Sequence, residues 1–172
     1  MTLRHDVGVS DATEGRVRAA VADLPGVEVI DIDPALADTA EFCAAYGYLM
    51  DDSANAILVI GKSDPPVYAV GLVLATTRLD VNKTVRRRLG TRKASFAPAD
   101  ATRELTGMEI GGVTPFALPD GLPLWIDARV MERERIVVGG GSRACKVVGP
   151  PAMLLSVAGA EVIDELAVPA PS

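Results

Sequence analysis

No strongly apolar run in this chain outlasts a single β-strand. The longest, Ala69–Ala75, is far too short to cross a bilayer, and 16 glycines and 12 prolines cut the rest into brief segments. The pattern is one of short strands mixed with scattered helices, without a strict strand–helix–strand alternation. The chain is predicted to fold as α+β: short strands in a curved, mixed, mostly antiparallel sheet flanked by helices. No repeat, low-complexity block or linker divides residues 1–172, so one domain is expected.

Local signals place the elements. Asp11-Ala12-Thr13-Glu14 has the form of a capping box, and Val17, Ala20, Val21 and Leu24 recur at helical spacing before Pro25-Gly26. Val27–Ile32 reads as a strand. Asp38-Thr39-Ala40-Glu41 opens a second helix, stopped by Gly47. Ala56–Ile60 and Val67–Ala75 read as a hairpin around Gly61-Lys62-Ser63-Asp64-Pro65-Pro66. Asp80 caps a helix through Leu89, with Gly90 beyond its end. Further strands are expected at Lys93–Phe96, Leu122–Asp127, Ile136–Val138, Cys145–Val148 and Glu161–Leu166. Helices are expected at Asp100–Thr106 and from Pro150-Pro151 to Val157. The tail 168–172 is expected to fray.

Composition removes several chemistries. His5, near the N-terminus and without a motif around it, is the single histidine. A multi-histidine metal site is impossible, and a Ser-His-Asp or Cys-His site has no support. Neither a metal nor a cofactor is expected. Cys43 and Cys145 make no disulfide framework and read as core thiols. Met1–Ser10 lacks an apolar signal region, which points to a cytoplasmic protein without a membrane association.

Charge is unevenly spread. The chain carries −6, yet Arg78–Lys93 holds seven cations against the one anion Asp80, so that segment is +6 and the remainder −12. Lys83, Arg86 and Arg87 share a helix face at i, i+3 and i+4, opposite Val81, Val85 and Leu89. This is either a solvated face or a phosphate-contacting one. Two glycine loops stand out as well. Gly111-Gly112-Val113-Thr114-Pro115 lets backbone approach a ligand without a Cβ in the way. Val138-Gly139-Gly140-Gly141-Ser142-Arg143 exposes consecutive N–H groups suited to a carboxylate, a phosphate or an oxyanion. Each taken alone also reads as an ordinary turn.

Together the segments have a recognisable order. Leu79-Asp80-Val81-Asn82-Lys83 is followed by Arg88-Leu89-Gly90-Thr91-Arg92-Lys93-Ala94, then Leu105-Thr106-Gly107. The Gly111–Pro115 loop comes next, then Leu122-Pro123 with Ile126-Asp127, and finally Val138–Arg143. This order resembles the YbaK family, also called the prolyl-tRNA-synthetase-associated editing domain, most strongly over 54–155. The resemblance implies a compact α+β fold and hydrolysis of a wrong amino acid from the 3′ end of a tRNA. It implies tRNA, by its acceptor end, as partner, with an aminoacyl-tRNA synthetase as a second candidate partner. It places Gly111, Gly112, Thr114 and Pro115 around the amino-acid pocket, bordered by Gly139, Gly140, Gly141 and Ser142. Lys83, Arg86 and Arg87 would face the acceptor stem.

The sequence departs from the family at one telling position. The family sets a lysine just before the first hairpin strand, and here Ser53-Ala54-Asn55-Ala56-Ile57-Leu58-Val59 puts Asn55 there. Asparagine donates and accepts hydrogen bonds but carries no charge. Lys146, near where some members carry an acidic residue, compensates if its side chain faces the pocket; otherwise it is a surface lysine. Two functions stay open: a deacylase acting in trans with a retuned site, or a silent module that binds an aminoacyl or nucleotide ligand.

Overall fold

The computed structural model describes residues 3–170, of which 3–11 are described by their backbone alone. In chain order the elements are α1 (Leu3–Val21), β1 (Glu28–Asp31), α2 (Thr39–Tyr46), β2 (Ala54–Gly61), β3 (Val67–Leu74) and β4 (Thr77–Leu79). A π-helical turn (Val81–Val85) leads into α3 (Arg86–Leu89), then β5 (Ala94–Phe96), α4 (Ala99–Thr106), β6 (Leu124–Asp127) and α5 (Ala128–Met131). The chain continues with β7 (Ile136–Gly139), β8 (Cys145–Gly149), a 3₁₀ turn (Pro151–Ser156), β9 (Ala160–Ile163) and β10 (Ala167–Pro169).

The expected α+β architecture is present as mixed sheets flanked by helices. Five strands order β5-β2-β3-β6-β9, three order β1-β8-β7, and β10 pairs with β4. Pairing is antiparallel except for β3–β6 and β6–β9. The five- and three-stranded sheets meet at one parallel bridge, Ser53 to Val137. Beyond it β2 and β7 belong to different sheets, and the chain leaves a cavity between them.

The hairpin of β2 and β3 is the centre of the fold. Consecutive residues on a strand point to opposite faces. Leu58, Val70 and Leu72 join one buried cluster with Val17 of α1, Ile136 and Val138. Their neighbours Val59, Ala69 and Val73 join another with Val81, Val85 and Trp125. The sheet is thus buried on both faces, which explains why β3 is a nearly unbroken apolar run. Trp125 and both cysteines are buried, as core residues.

Several local expectations are corrected. The first helix begins at Leu3 instead of at Asp11, so the capping-box residues lie within it, and Glu14 instead accepts from the Ser142 hydroxyl. The Asp80 helix starts as a π turn: the Val85 N–H donates to Asp80 O at 3.0 Å, a five-residue step. Asp80 does cap it, accepting from the Thr84 N–H at 3.3 Å and hydroxyl at 2.9 Å. The tail, expected loose from 168, is paired through Pro169: Ala167–Pro169 runs against Thr77–Leu79. Residues 171 and 172 lie outside the described residues. Asp127 is nearly inaccessible, and its carboxylate accepts from Ala167 N at 2.8 Å, tying that strand down.

Candidate functional site

The cavity at the divergence of β2 and β7 has a volume of about 300 Å³, small for a ligand site. Its wall comes from several parts of the chain, among them Ala97 just before α4 and Thr102 within it. The segment leading into α2 gives Ala37, Asp38 and Thr39, and the start of β2 gives Ser53–Leu58. The glycine loop after α4 gives Ile110, Gly111 and Val113, and β7 with β8 gives Val137, Val138, Gly139 and Lys146. Most of these side chains are small or apolar, with a few polar groups among them.

Strand register explains how the polar groups meet. Asn55 lies two residues beyond the Ser53–Val137 bridge on β2, and Gly139 two residues beyond it on β7, on opposite sides of the cavity mouth where the strands part. Gly139 in turn pairs with Lys146 on β8. Asn55, Gly139 and Lys146 therefore line one cavity, with Gly139 contributing no side chain to it. The Thr39 hydroxyl donates to Asn55 Oδ1 at 2.9 Å.

Lys146 is 7% exposed and its Nζ donates to Ala37 O at 2.9 Å. The ammonium lies 5.3 Å from the centre of the Phe42 ring, which is stacked between Tyr46 and Tyr48. Burial lowers the Lys146 pKa below the ordinary lysine value, and the nearby Arg143 cation pushes the same way; Asp38 opposes both. The Arg143 guanidinium bridges two parts of the wall, with Nη1 3.1 Å from Asp38 Oδ1 and donating to Ile110 O at 3.1 Å. Burial raises the thiol pKa of Cys43 and of Cys145, so neither is poised as a thiolate.

The two glycine loops pack backbone against backbone. A Cβ on Gly139 would sit 2.1 Å from Val113 O, and one on Gly112 would sit 2.6 Å from the Ser142 carbonyl carbon. The Gly141 N–H donates to Gly112 O at 2.8 Å. Gly111, at φ +93°, takes a backbone conformation open to glycine, and its missing Cβ leaves room for the Arg143 guanidinium.

The residues singled out from sequence therefore divide. Asn55, Gly111, Gly139 and Lys146 line one cavity. Gly112, Thr114, Gly140, Gly141 and Ser142 do not line it, and all five are buried. Thr114 accepts from Phe116 N at 3.3 Å, Gly140 packs on Cys145, and Ser142 turns toward Glu14 in α1. Pro115 borders a different depression, with Phe116 and Leu122. Lys83 and Arg87 are exposed, Arg86 is half-buried with its Nε donating to Asn82 O at 2.9 Å, and none of the three lines the cavity. Missed from sequence were Asp38, Thr39 and Arg143. Asp38 and Thr39 carried a helix-start signal that hid their side-chain partners; Arg143 followed a glycine run that drew attention to its backbone.

Among the described residues no cluster of three or more His, Cys, Asp or Glu is arranged to hold a metal ion. No helix among them is long and apolar enough to cross a membrane.

Comparison with known proteins bears on the same region. The model of the aminoacyl-tRNA editing domain family matches residues 33–157, a span that includes the whole cavity wall. The structure of a candidate trans-editing enzyme for prolyl tRNA synthetase superposes with a TM-score of 0.77 at 24% identity, covering 92% of this chain and 98% of that one. A hypothetical protein superposes at 0.72 and 25% identity, over 80% of this chain and 89% of its own. A structure from work on epitope backbone grafting onto scaffold proteins reaches 0.75 at 23% identity, over 93% and 98%.

Proposed function

Since the chain belongs to the aminoacyl-tRNA editing domain family, we propose that it is a deacylase acting in trans on mischarged tRNA. The aminoacyl group enters the cavity between β2 and β7, and its side chain lies among the alanine, valine and leucine walls. The observation that carries this reading is the gathering of Asn55, Gly111, Gly139 and Lys146 around one cavity of about 300 Å³, a volume suited to an amino-acid side chain and its ester.

The chemistry asks little of the protein. An aminoacyl ester is an activated acyl group. A water oxygen adds to the carbonyl carbon, the bond from that carbon to the ribose oxygen breaks, and the water's proton passes to the departing ribose oxygen. Free amino acid and tRNA result. Holding the ester and water together and stabilising the transient oxyanion supply the acceleration. Asn55 and Lys146 are side-chain nitrogen donors that line the cavity. Lys146 has one donor committed to Ala37 O, and it supplies from β8 the ammonium that position 55 lacks. Lys83, Arg86 and Arg87 contact the phosphates of the acceptor stem. The cytoplasm is where such a substrate is met.

Hydrolysis of alanyl-, cysteinyl- and seryl-tRNA for proline by the purified protein tests the reading, with Gly111→Ala and Lys146→Met alongside. One ester is expected to be cleared well above its buffer rate, and both variants to be slow on it. If no ester is cleared at high protein concentration, the reading fails for these substrates. Retained binding of an uncleavable aminoacyl-tRNA analogue would then favour a silent binding module.

A further inference from the structure

Thr39 opens α2 at the cavity wall and determines what Asn55 can offer an occupant. Its hydroxyl donates to Asn55 Oδ1 at 2.9 Å. With the amide oxygen engaged, the amide NH₂ is the group left to meet a ligand. The base of α2 is itself anchored. Lys146 Nζ holds Ala37 O at 2.9 Å, and Arg143 holds Asp38 at 3.1 Å. The Thr39 hydroxyl is therefore presented from a fixed point rather than from a loose helix end.

The other groups in the wall complete the argument. Lys146 offers donors only, and the one carboxylate in the wall, Asp38, is engaged by Arg143. The arrangement fits an occupant that brings an acceptor oxygen between Asn55 and Lys146. An ester carbonyl is such a group, and its demand for donors grows as water adds and charge collects on oxygen.

We infer that Thr39 is a positioning residue that fixes the Asn55 amide as a hydrogen-bond donor to the ester carbonyl oxygen of the substrate. The inference rests on the deacylase reading. Asn55 acts on the substrate and Thr39 acts through Asn55. Freed of the hydroxyl, the amide has two roughly equivalent orientations about its last torsion, and one of them turns oxygen toward the developing oxyanion. The neutral amide at position 55 is thereby converted from an indifferent group into one with a defined polarity.

Steady-state deacylation of the ester that wild type clears fastest decides the matter, with Thr39→Val, Thr39→Ser, Asn55→Ala and Asn55→Asp compared at matched melting temperature. Thr39→Val is expected to lower kcat on the order of tenfold, below the full loss of an oxyanion donor, with KM little changed. Thr39→Ser, which keeps the hydroxyl, is expected to restore kcat. Asn55→Asp is expected to be slower than Asn55→Ala at neutral pH, because a carboxylate in that place repels the oxyanion. Wild-type kcat in Thr39→Val, no rescue in Thr39→Ser, or Asn55→Asp as fast as wild type overturns the inference. A wild type that clears no ester is a different result: it removes the deacylase reading itself, and the inference with it.

Discussion

Replacing Gly139 with alanine is the sharpest perturbation the fold permits. The added Cβ would lie 2.1 Å from Val113 O and 2.9 Å from the Val113 carbonyl carbon. Carbon–oxygen contacts settle near 3.3 Å or beyond, so strand and loop must separate by roughly 1 Å. Neither side is a flexible side chain that swings away; both are backbone, and the loop is tied by the Gly141 N–H to Gly112 O bond at 2.8 Å. Overpacking of this kind costs about 1–3 kcal/mol, and stretching that buried hydrogen bond adds up to about 1–3 kcal/mol more. At 2–4 °C per kcal/mol for a domain of this size, the melting temperature should fall by about 10 °C. Gly15→Ala is the control. It lies in α1 with nothing within 4 Å of the added Cβ, and should stabilise by about 0.5–1 kcal/mol through helix propensity alone. Thermal melts followed by circular dichroism, with deacylation measured well below both midpoints, give the two readouts. Gly139→Ala should melt early and lose activity even while folded, since the cavity wall moves. If it melts within a degree or two of wild type, the two glycine loops are not in backbone contact and the account of the site is wrong.

Three further outcomes follow from the same structure. Asp127→Ala removes the acceptor for Arg129 N at 2.9 Å and Ala167 N at 2.8 Å; urea denaturation should show a loss on the order of 3 kcal/mol, with activity per folded molecule retained. Lys146 has a folded-state pKa lowered by burial, so between that value and the ordinary 10.5 the unfolded chain holds the proton that the folded chain releases. Stability should therefore gain with rising pH in that window relative to Lys146→Met, and parallel stability–pH curves for the two proteins would contradict the burial of a titrating amine. Changing Lys83, Arg86 and Arg87 together to glutamine should weaken tRNA binding and make log Kd shallower against log salt by up to about 2–3, with kcat unchanged; an unaltered salt slope would mean that these cations do not meet phosphate.

The sequence was legible wherever a local pattern and the tertiary structure ask for the same thing. The β2–β3 hairpin has apolar residues on both faces because both faces are buried, and its strands are joined by the short, proline-containing turn 62–66. Asp80 was readable as a cap because its partner Thr84 is four residues away. Legibility ended where the partner is remote. Ser142 sits in a glycine run that looks built for ligands, yet its hydroxyl goes to Glu14, which is 128 positions distant. Gly140 and Gly141 are glycines because Cys145 and Thr13 occupy the space a Cβ would need. The π turn at Val81–Val85 was equally hidden, since Val81 and Val85 bury themselves whether the backbone bonds step by four residues or five.

The same reasoning changes how the substitution at position 55 should be read. Judged by residue type alone, exchanging an ammonium for an amide looks like the loss of a site. In the folded chain Asn55 is not a vacant position: it lines the same cavity as Gly139 and Lys146, and Thr39 already occupies one end of its amide. Lys146, in the same wall, is among the least exposed charged side chains described, a position that costs stability and would rarely persist for packing alone. A returned lysine at 55 would place a second ammonium beside a first that burial and Arg143 already disfavour. Asn55→Lys is therefore expected to lower the Lys146 pKa further and to reduce deacylation rather than create it. A gain of activity in Asn55→Lys, measured on the same tRNA panel, would show that the site is a degenerate remnant and that the amide contributes nothing.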